Sequence, residues 1–165
     1  MSVQVTNTDR YPATPDQLID MMSNPDYLLE KYQALGDVEF TVDEQERADE
    51  SLSLKIDRTV NANLPDFAKK IVGETSQLVQ TEKWTKDGDS WVCDFHTESP
   101  GKPLKMNGTF KIVPVGDSES DYSVQMDIKA GIPLVGKKLE KSVASETKEN
   151  MSLEFQFNVE FLSRS

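Results

Sequence analysis

The pattern of apolar residues changes period once in the last third of the chain, and few architectures accommodate that change. Tyr122, Val124, Met126, Ile128, Ala130 and Ile132 alternate with Ser123, Gln125, Asp127 and Lys129. A period of two places every apolar group on one face of a strand and leaves the other face to water. Directly afterwards Val135, Leu139, Val143, Thr147, Met151, Phe155, Val159 and Leu162 recur three or four residues apart, which is the spacing of one side of a helix. Six strand-like runs lead into that helix. A half-apolar sheet and a long half-apolar helix must bury their faces on each other. The expected class is therefore α+β: a curved antiparallel sheet of about six or seven strands wrapped around a long C-terminal helix, with two short helices after the first strand.

The 165 residues fit one domain, 1–165, large enough to hold a core without disulfide or metal staples. A hydrophobic content of 36% against 28% charged residues is that of a globular chain. The net charge of −11 argues against a nucleic-acid partner, which needs clustered Lys and Arg to displace phosphate counterions. An anionic membrane surface is disfavoured on the same ground. Residues Met1 to Tyr11 lack the basic start and apolar stretch of a secretory signal. No apolar run approaches the ~20 residues that cross a bilayer, so a soluble cytoplasmic protein without membrane insertion is expected. Cys93 is the only cysteine, which excludes an intramolecular disulfide and a thiolate-rich zinc site. It shares a strand face with Trp91 and Phe95 and reads as a small buried apolar group.

Along the chain, Val3 to Thr8 is the first strand. Thr14-Pro15-Asp16-Gln17 then opens a helix: the Thr14 hydroxyl can accept from the Gln17 N–H while the Gln17 amide reaches back, with proline at the first helical position. Asn24-Pro25 restarts a helix in the same way, giving short helices over Asp16–Met22 and Asp26–Ala34, and Gly36 ends the second. Val38, Phe40 and Val42 open a strand that runs into Asp43 to Glu50, whose five carboxylates and one arginine read as a solvated turn. Leu52, Leu54 and Ile56 form the return strand of that hairpin. Asn63-Leu64-Pro65-Asp66 predicts a capped short helix ending at Gly73. Strands resume over Gln77–Thr85 and Ser90–Thr97 around an Asp87-Gly88 hairpin turn. Leu104, Met106, Phe110 and Ile112 share the next strand face, with Gly108 in register as the place for a bulge or a sharp bend. Ile132 to Gly136 is the hinge into the final helix.

Strand, helix pair, antiparallel strands and long terminal helix in that order are similar to the helix-grip fold of the START-like (SRPBCC) superfamily, which includes polyketide cyclases and birch-pollen-allergen relatives. More narrowly, four blocks resemble an uncharacterised bacterial family, DUF2505. They are Tyr11-Pro12-Ala13-Thr14-Pro15, Leu64-Pro65-Asp66-Phe67 with Val72-Gly73, Thr81-Glu82-Lys83-Trp84, and the most specific, Ile132-Pro133-Leu134-Val135-Gly136-Lys137-Lys138-Leu139-Glu140. The superfamily resemblance implies a cavity between the curved sheet and the terminal helix that takes apolar or amphipathic small molecules. It supplies neither an activity nor catalytic residues for the narrower family.

A bent sheet and a helix do not always fill the space between them, so a cavity is plausible on physical grounds as well. The inward candidates are Leu54, Ile56, Trp84, Phe95, Met106, Phe110, Met126 and Ile128 from the sheet, with Val143, Met151 and Phe155 from the helix. Each of these could instead be plain core. Arg58 continues the face of Leu54 and Ile56, although a twist at the strand end that carries it to water is the more ordinary outcome; turned inward it needs a partner, for which Glu82 has the right parity, or it receives a ligand carboxylate. His96, the sole histidine, falls on the opposite face from Phe95, so a surface role outweighs acid–base catalysis. Lys137, Lys138 and Lys141 form a basic patch at the start of the last helix, for solubility or for an anionic head group. Leu153, Phe157 and Phe161 make a second helix stripe that suits either a deep wedge in the core or a homodimer contact. No metal or cofactor is expected: carboxylates alone remain as ligands, and 43–50 lacks the glycine and spacing of a calcium loop. The leading expectation is a noncatalytic carrier or sensor of a hydrophobic or amphipathic, lipid-like or polyketide-like molecule. A cyclase- or hydrolase-type enzyme and a protein-interaction module are the alternatives.

Overall fold

The computed structural model describes residues 2–164. Strand β1 (Val3–Tyr11) is followed by helices α1 (Pro15–Met22) and α2 (Pro25–Ala34), then by strands β2 (Glu39–Ala48) and β3 (Ser51–Asn61). Helix α3 (Asp66–Val72) precedes β4 (Thr75–Asp87), β5 (Ser90–Glu98), β6 (Leu104–Val115) and β7 (Glu119–Ala130), and α4 (Gly136–Leu162) closes the chain. All seven strands form one antiparallel sheet in the order β1-β7-β6-β5-β4-β3-β2. This is the helix-grip arrangement, with α4 laid along the concave face over β7 and β1 and α2 packed beside it.

Local chemistry sets the helix ends. Gln17 N–H donates to the Thr14 hydroxyl at 3.2 Å and the Gln17 side-chain oxygen accepts from Thr14 N–H at 2.8 Å, which completes the capping box. Asn24 caps α2 by accepting from Asp26 N–H at 2.9 Å. At the other end Gly36 takes φ +83° and two bonds close the last turn, Gly36 N to Gln33 O at 3.0 Å and Asp37 N to Tyr32 O at 3.1 Å. That pairing is a Schellman motif, and it delivers the Asp37 side chain back toward the sheet.

Three local expectations need correction. The acidic run 43–50 is mostly strand: β2 continues through Ala48 after a bulge between Val42 and Glu44, and the turn is confined to Asp49 and Glu50. β2 is an edge strand, where carboxylates on both faces meet water and discourage pairing with another chain. Asn63 does not cap α3; Pro65 occupies that position without a side-chain bond, and Asn63 Nδ2 instead donates to Glu146 on α4 at 3.5 Å. Gly108 makes no bulge, since the register on both sides of it is continuous. A Cβ there would stand 2.4 Å from Gln125 O and 3.0 Å from Met126 Cα, so glycine allows β7 to approach.

Helix α4 is fastened at its start. The Glu140 carboxylate, 2% exposed, accepts from Ala130 N–H at 2.8 Å, and Gly136 lies against Ala130 O, where a Cβ would stand 2.8 Å away. Leu139 and Val143 are buried on this first half. From Thr147 onward the same stripe is only partly buried. On the second stripe, Phe157 and Phe161 pack on Tyr27 of α2 with ring centroids 5.9 and 5.3 Å apart, so the same chain covers them, while Leu153 is 51% exposed. Among the described residues, no helix is long and apolar enough to cross a membrane.

Candidate functional site

Between the concave sheet, α2 and α4 lies a cavity of about 400 Å³. A water molecule occupies ~30 Å³ of liquid. The space is thus no packing defect, and it falls in the ~300–1,000 Å³ range of small-molecule sites.

Strand pairing arranges its floor in rows. One row runs Leu54, Glu82, Phe95, Gly108, Met126 and Val5 across β3, β4, β5, β6, β7 and β1. The next runs Gln80, Thr97, Met106 and Ile128. Of the twelve side chains expected at the site, eight line the cavity: Leu54, Arg58, Phe95, Met106, Phe110, Met126, Val143 and Met151. The other four, Ile56, Trp84, Ile128 and Phe155, do not. Ile56 and Ile128 have no exposed surface, being covered by neighbours in the sheet and core. Trp84 stands behind the wall, against Phe110 and Tyr122 at 6.2 and 5.8 Å, and Phe155 is taken up by Tyr11 at 5.0 Å. The period-two register was right for the sheet; which inward residue meets space and which meets another side chain depends on curvature.

One side of the cavity is a connected polar edge. Arg58 does not pair with Glu82 as expected: it donates to both oxygens of Asp37, Nε to Oδ2 at 2.7 Å and Nη2 to Oδ1 at 2.8 Å, and its guanidinium stands over the Tyr32 ring at 4.6 Å. Its Nη1 also reaches the Gln80 side-chain oxygen at 3.4 Å. Gln80 Nε2 donates to Glu82 Oε2 at 2.9 Å, and the Trp84 indole donates to Glu82 Oε1 at 3.0 Å. Lys31, 5% exposed on the apolar face of α2, donates to Glu154 on α4 at 2.7 Å and lies over the Tyr32 and Tyr27 rings at 4.8 and 5.3 Å. Tyr27 hydroxyl donates to Asn158 Oδ1 at 2.6 Å, and Asn158 Nδ2 donates to the Tyr11 hydroxyl at 3.0 Å.

Burial and charge act against each other here. Burial pushes the Lys31 ammonium down, but Glu154 and the surrounding Tyr27, Tyr32 and Glu82 outweigh it and hold the group well above its ordinary range. For Arg58 burial is likewise overcome, chiefly by the bonds to Asp37. Burial raises Tyr11, Tyr27 and Tyr32, which favours the neutral phenols; Tyr27 donates, while the Tyr11 and Tyr32 hydroxyls accept from Asn158 and Gln80. Asp9 and Glu146, on the cavity wall without a cation beside them, are raised first by burial; Asn7 and Asn63 respectively oppose this, and nearby Glu154 and Glu149 reinforce it.

Most of this edge is not encoded in strand parity. Two signals were available: Lys31 interrupts the α2 stripe of Tyr27, Leu28 and Tyr32, and Glu154 and Asn158 continue the helical spacing of Thr147 and Met151. His96 lies on the convex side, its Nδ1 against Asn107 Oδ1 and its Nε2 3.6 Å from Glu98. Lys137, Lys138 and Lys141 are exposed and outside the cavity, with Lys138 Nζ 4.2 Å above the Phe67 ring.

The family described as "Protein of unknown function (DUF2505)" matches residues 6–162. No curated relative matches by sequence. Solved structures share the fold over nearly the whole chain. TTHA0849 from Thermus thermophilus is 18% identical, covers 99% of this chain and 100% of its own, and superposes with a TM-score of 0.67. The Zhui aromatase/cyclase from Streptomyces sp. R1128 is 10% identical over 99% of this chain and 95% of its own, with a TM-score of 0.63. A START superfamily protein from Mycobacterium smegmatis is 17% identical over 96% and 98%, with a TM-score of 0.58.

Proposed function

This chain belongs to the DUF2505 family, and we propose that it binds an apolar or amphipathic small molecule in the cavity between its sheet and α4, as a soluble, cytoplasmic, noncatalytic carrier or sensor. The observation that carries this reading is the cavity itself, whose sheet wall of Phe95, Phe110, Met106 and Met126 faces a polar edge already fixed by internal bonds. Burying ligand carbon there contributes ~25 cal/mol per Å² before ordering costs, and methionine side chains adjust to the shape that enters. Polar groups of the edge orient the ligand. A helix-grip aromatase/cyclase among the structural neighbours keeps a cyclase-type enzyme as the second reading, although the sole imidazole of this chain is on the outer face. Native mass spectrometry of freshly purified protein tests the carrier reading. The expected result is an adduct that organic extraction removes as an amphiphile; an apo mass that no added amphiphile shifts contradicts it.

A further inference from the structure

Among the described residues, the cavity edge contains a buried carboxylate that no cation hydrogen-bonds, the Lys31 charge acting on it only at longer range. Glu82 is 5% exposed, on the floor between Leu54 and Phe95, and its two hydrogen-bond donors, Gln80 Nε2 and Trp84 Nε1, are both neutral. Arg58 reaches only the far end of Gln80, and its charge is already matched by Asp37. A carboxylate accepts about four hydrogen bonds, so roughly two acceptor positions on Glu82 stay open. Buried charges are ordinarily paired, and an unpaired one is costly.

A second observation falls beside it. Thr97 is 1% exposed, lines the cavity, and its Oγ1 has no hydrogen-bond partner. It sits opposite Gln80 and two residues after Phe95, which is itself opposite Glu82. Thr97 and Glu82 are therefore diagonal neighbours on one face, ~7–8 Å or less apart, near enough for one ligand group to reach both.

Charge around the cavity has one sign in excess. Lys31 and Arg58 are its only cations among the described residues, and both are paired with carboxylates, while Asp9, Glu82 and Glu146 line it with amide or indole partners alone. An anionic head group would find no free cation and three carboxylates whose hydrogen-bond donors are all neutral. A cationic one would find open acceptors and, in Phe95, Phe110 and Tyr122, ring faces that attract it.

We propose that the ligand of this cavity is a cationic amphiphile whose ammonium head seats between the Glu82 carboxylate and the Thr97 hydroxyl, with its carbon on the Phe95–Met106–Met126 wall. This rests on the cavity being a small-molecule site and adds the chemical class that enters it.

Isothermal titration with decylamine, decanol and decanoate at neutral pH tests the head group at constant tail, with ethylamine controlling for charge attracted to the acidic surface. The expected result is one decylamine per chain, bound at least tenfold more tightly than decanol or decanoate, and no binding of ethylamine. Glu82→Gln, which keeps size and one of the two acceptor oxygens while removing the charge, should weaken decylamine about tenfold and leave decanol unchanged; Thr97→Val should weaken decylamine several-fold. Decanol or decanoate binding as tightly as decylamine overturns the charge assignment while the cavity reading stands. Unchanged decylamine affinity in both variants, each verified as folded by thermal melting, overturns the seat. Failure of all three ten-carbon compounds to bind overturns the small-molecule reading itself, and this inference with it.

Discussion

Replacing Asp37 by alanine should destabilise the protein by about 3 kcal/mol, which is a severe effect for a residue that the sequence presents as an ordinary loop aspartate. The Asp37 side chain is 1% exposed and that of Arg58 14%, and two short parallel bonds join them. Removing one partner of a buried ion pair costs ~3–5 kcal/mol, mostly because the other charge is left without compensation. The lower end applies because Arg58 keeps the Tyr32 ring and the distant Gln80 oxygen. For a chain of this size the melting temperature should fall by ~6–12 °C. Arg58→Met should cost at least as much, since it strands the more deeply buried Asp37 carboxylate. The double variant should lose markedly less than the two single losses combined, with a coupling of ~2 kcal/mol or more. Urea unfolding monitored by tryptophan fluorescence measures all four corners of this cycle, provided the slope with denaturant is unchanged. The pair is shielded from solvent, so the coupling should survive ~1 M salt. A loss below ~1 kcal/mol for Asp37→Ala, or additive losses, would refute the claim that Arg58 is held internally and would return it to service as a receptor for a ligand carboxylate.

Other consequences are separately measurable. Asn158→Ala should cost ~2 kcal/mol in urea unfolding because it strands the buried hydroxyls of Tyr27 and Tyr11, and adding Tyr27→Phe on that background should cost little more; full additivity would contradict the bridging role. Gly108→Ala should destabilise by ~2 kcal/mol, since its Cβ would collide with the backbone of β7 at 2.4 Å, and a loss within ~0.5 kcal/mol would place that strand farther away. Asp9 and Glu146 have folded pKa values above their ordinary 3.8 and 4.5, so the native state holds their protons more tightly than the unfolded chain and loses stability as pH rises through the raised values. Asp9→Asn and Glu146→Gln should therefore be more stable than the parent at neutral pH, with the advantage vanishing below the ordinary carboxylate range; an advantage independent of pH would contradict the sign.

The sheet and α4 were legible because their apolar periods are long and clean: Tyr122 to Ala130 alternates without fault, and Leu139 to Leu162 keeps helical spacing throughout. The acidic run after Val42 misled because edge strands carry charge on both faces, so composition there reports exposure and not conformation. Site residues were half legible. Parity told that Leu54, Phe95, Met106 and Met126 point inward and left Arg58 between the cavity and water, but which inward side chain meets space, as Met106 does, and which is covered, as Ile128 is, depends on the whole sheet. Partners were least legible. Arg58 and Asp37 are joined by the Schellman turn at Gly36, a contact that strand parity does not encode, whereas Glu82 shared a parity with Arg58 and yet turned to Gln80 and Trp84. Phe157 and Phe161 fitted a core wedge and a homodimer contact equally, because nothing in their own helix reveals that α2 packs on them.

The hollow beneath α4 is tested most directly by titration with the neutral fluorophore N-phenyl-1-naphthylamine, comparing the parent with Met106→Trp, in which a larger side chain projects from the cavity wall. Saturable emission with one fluorophore per chain in the parent, displaced by decylamine and lost in a Met106→Trp protein of unchanged circular dichroism, is the result expected. No saturable signal from the parent, or an identical one from Met106→Trp, would mean that small molecules do not occupy this space.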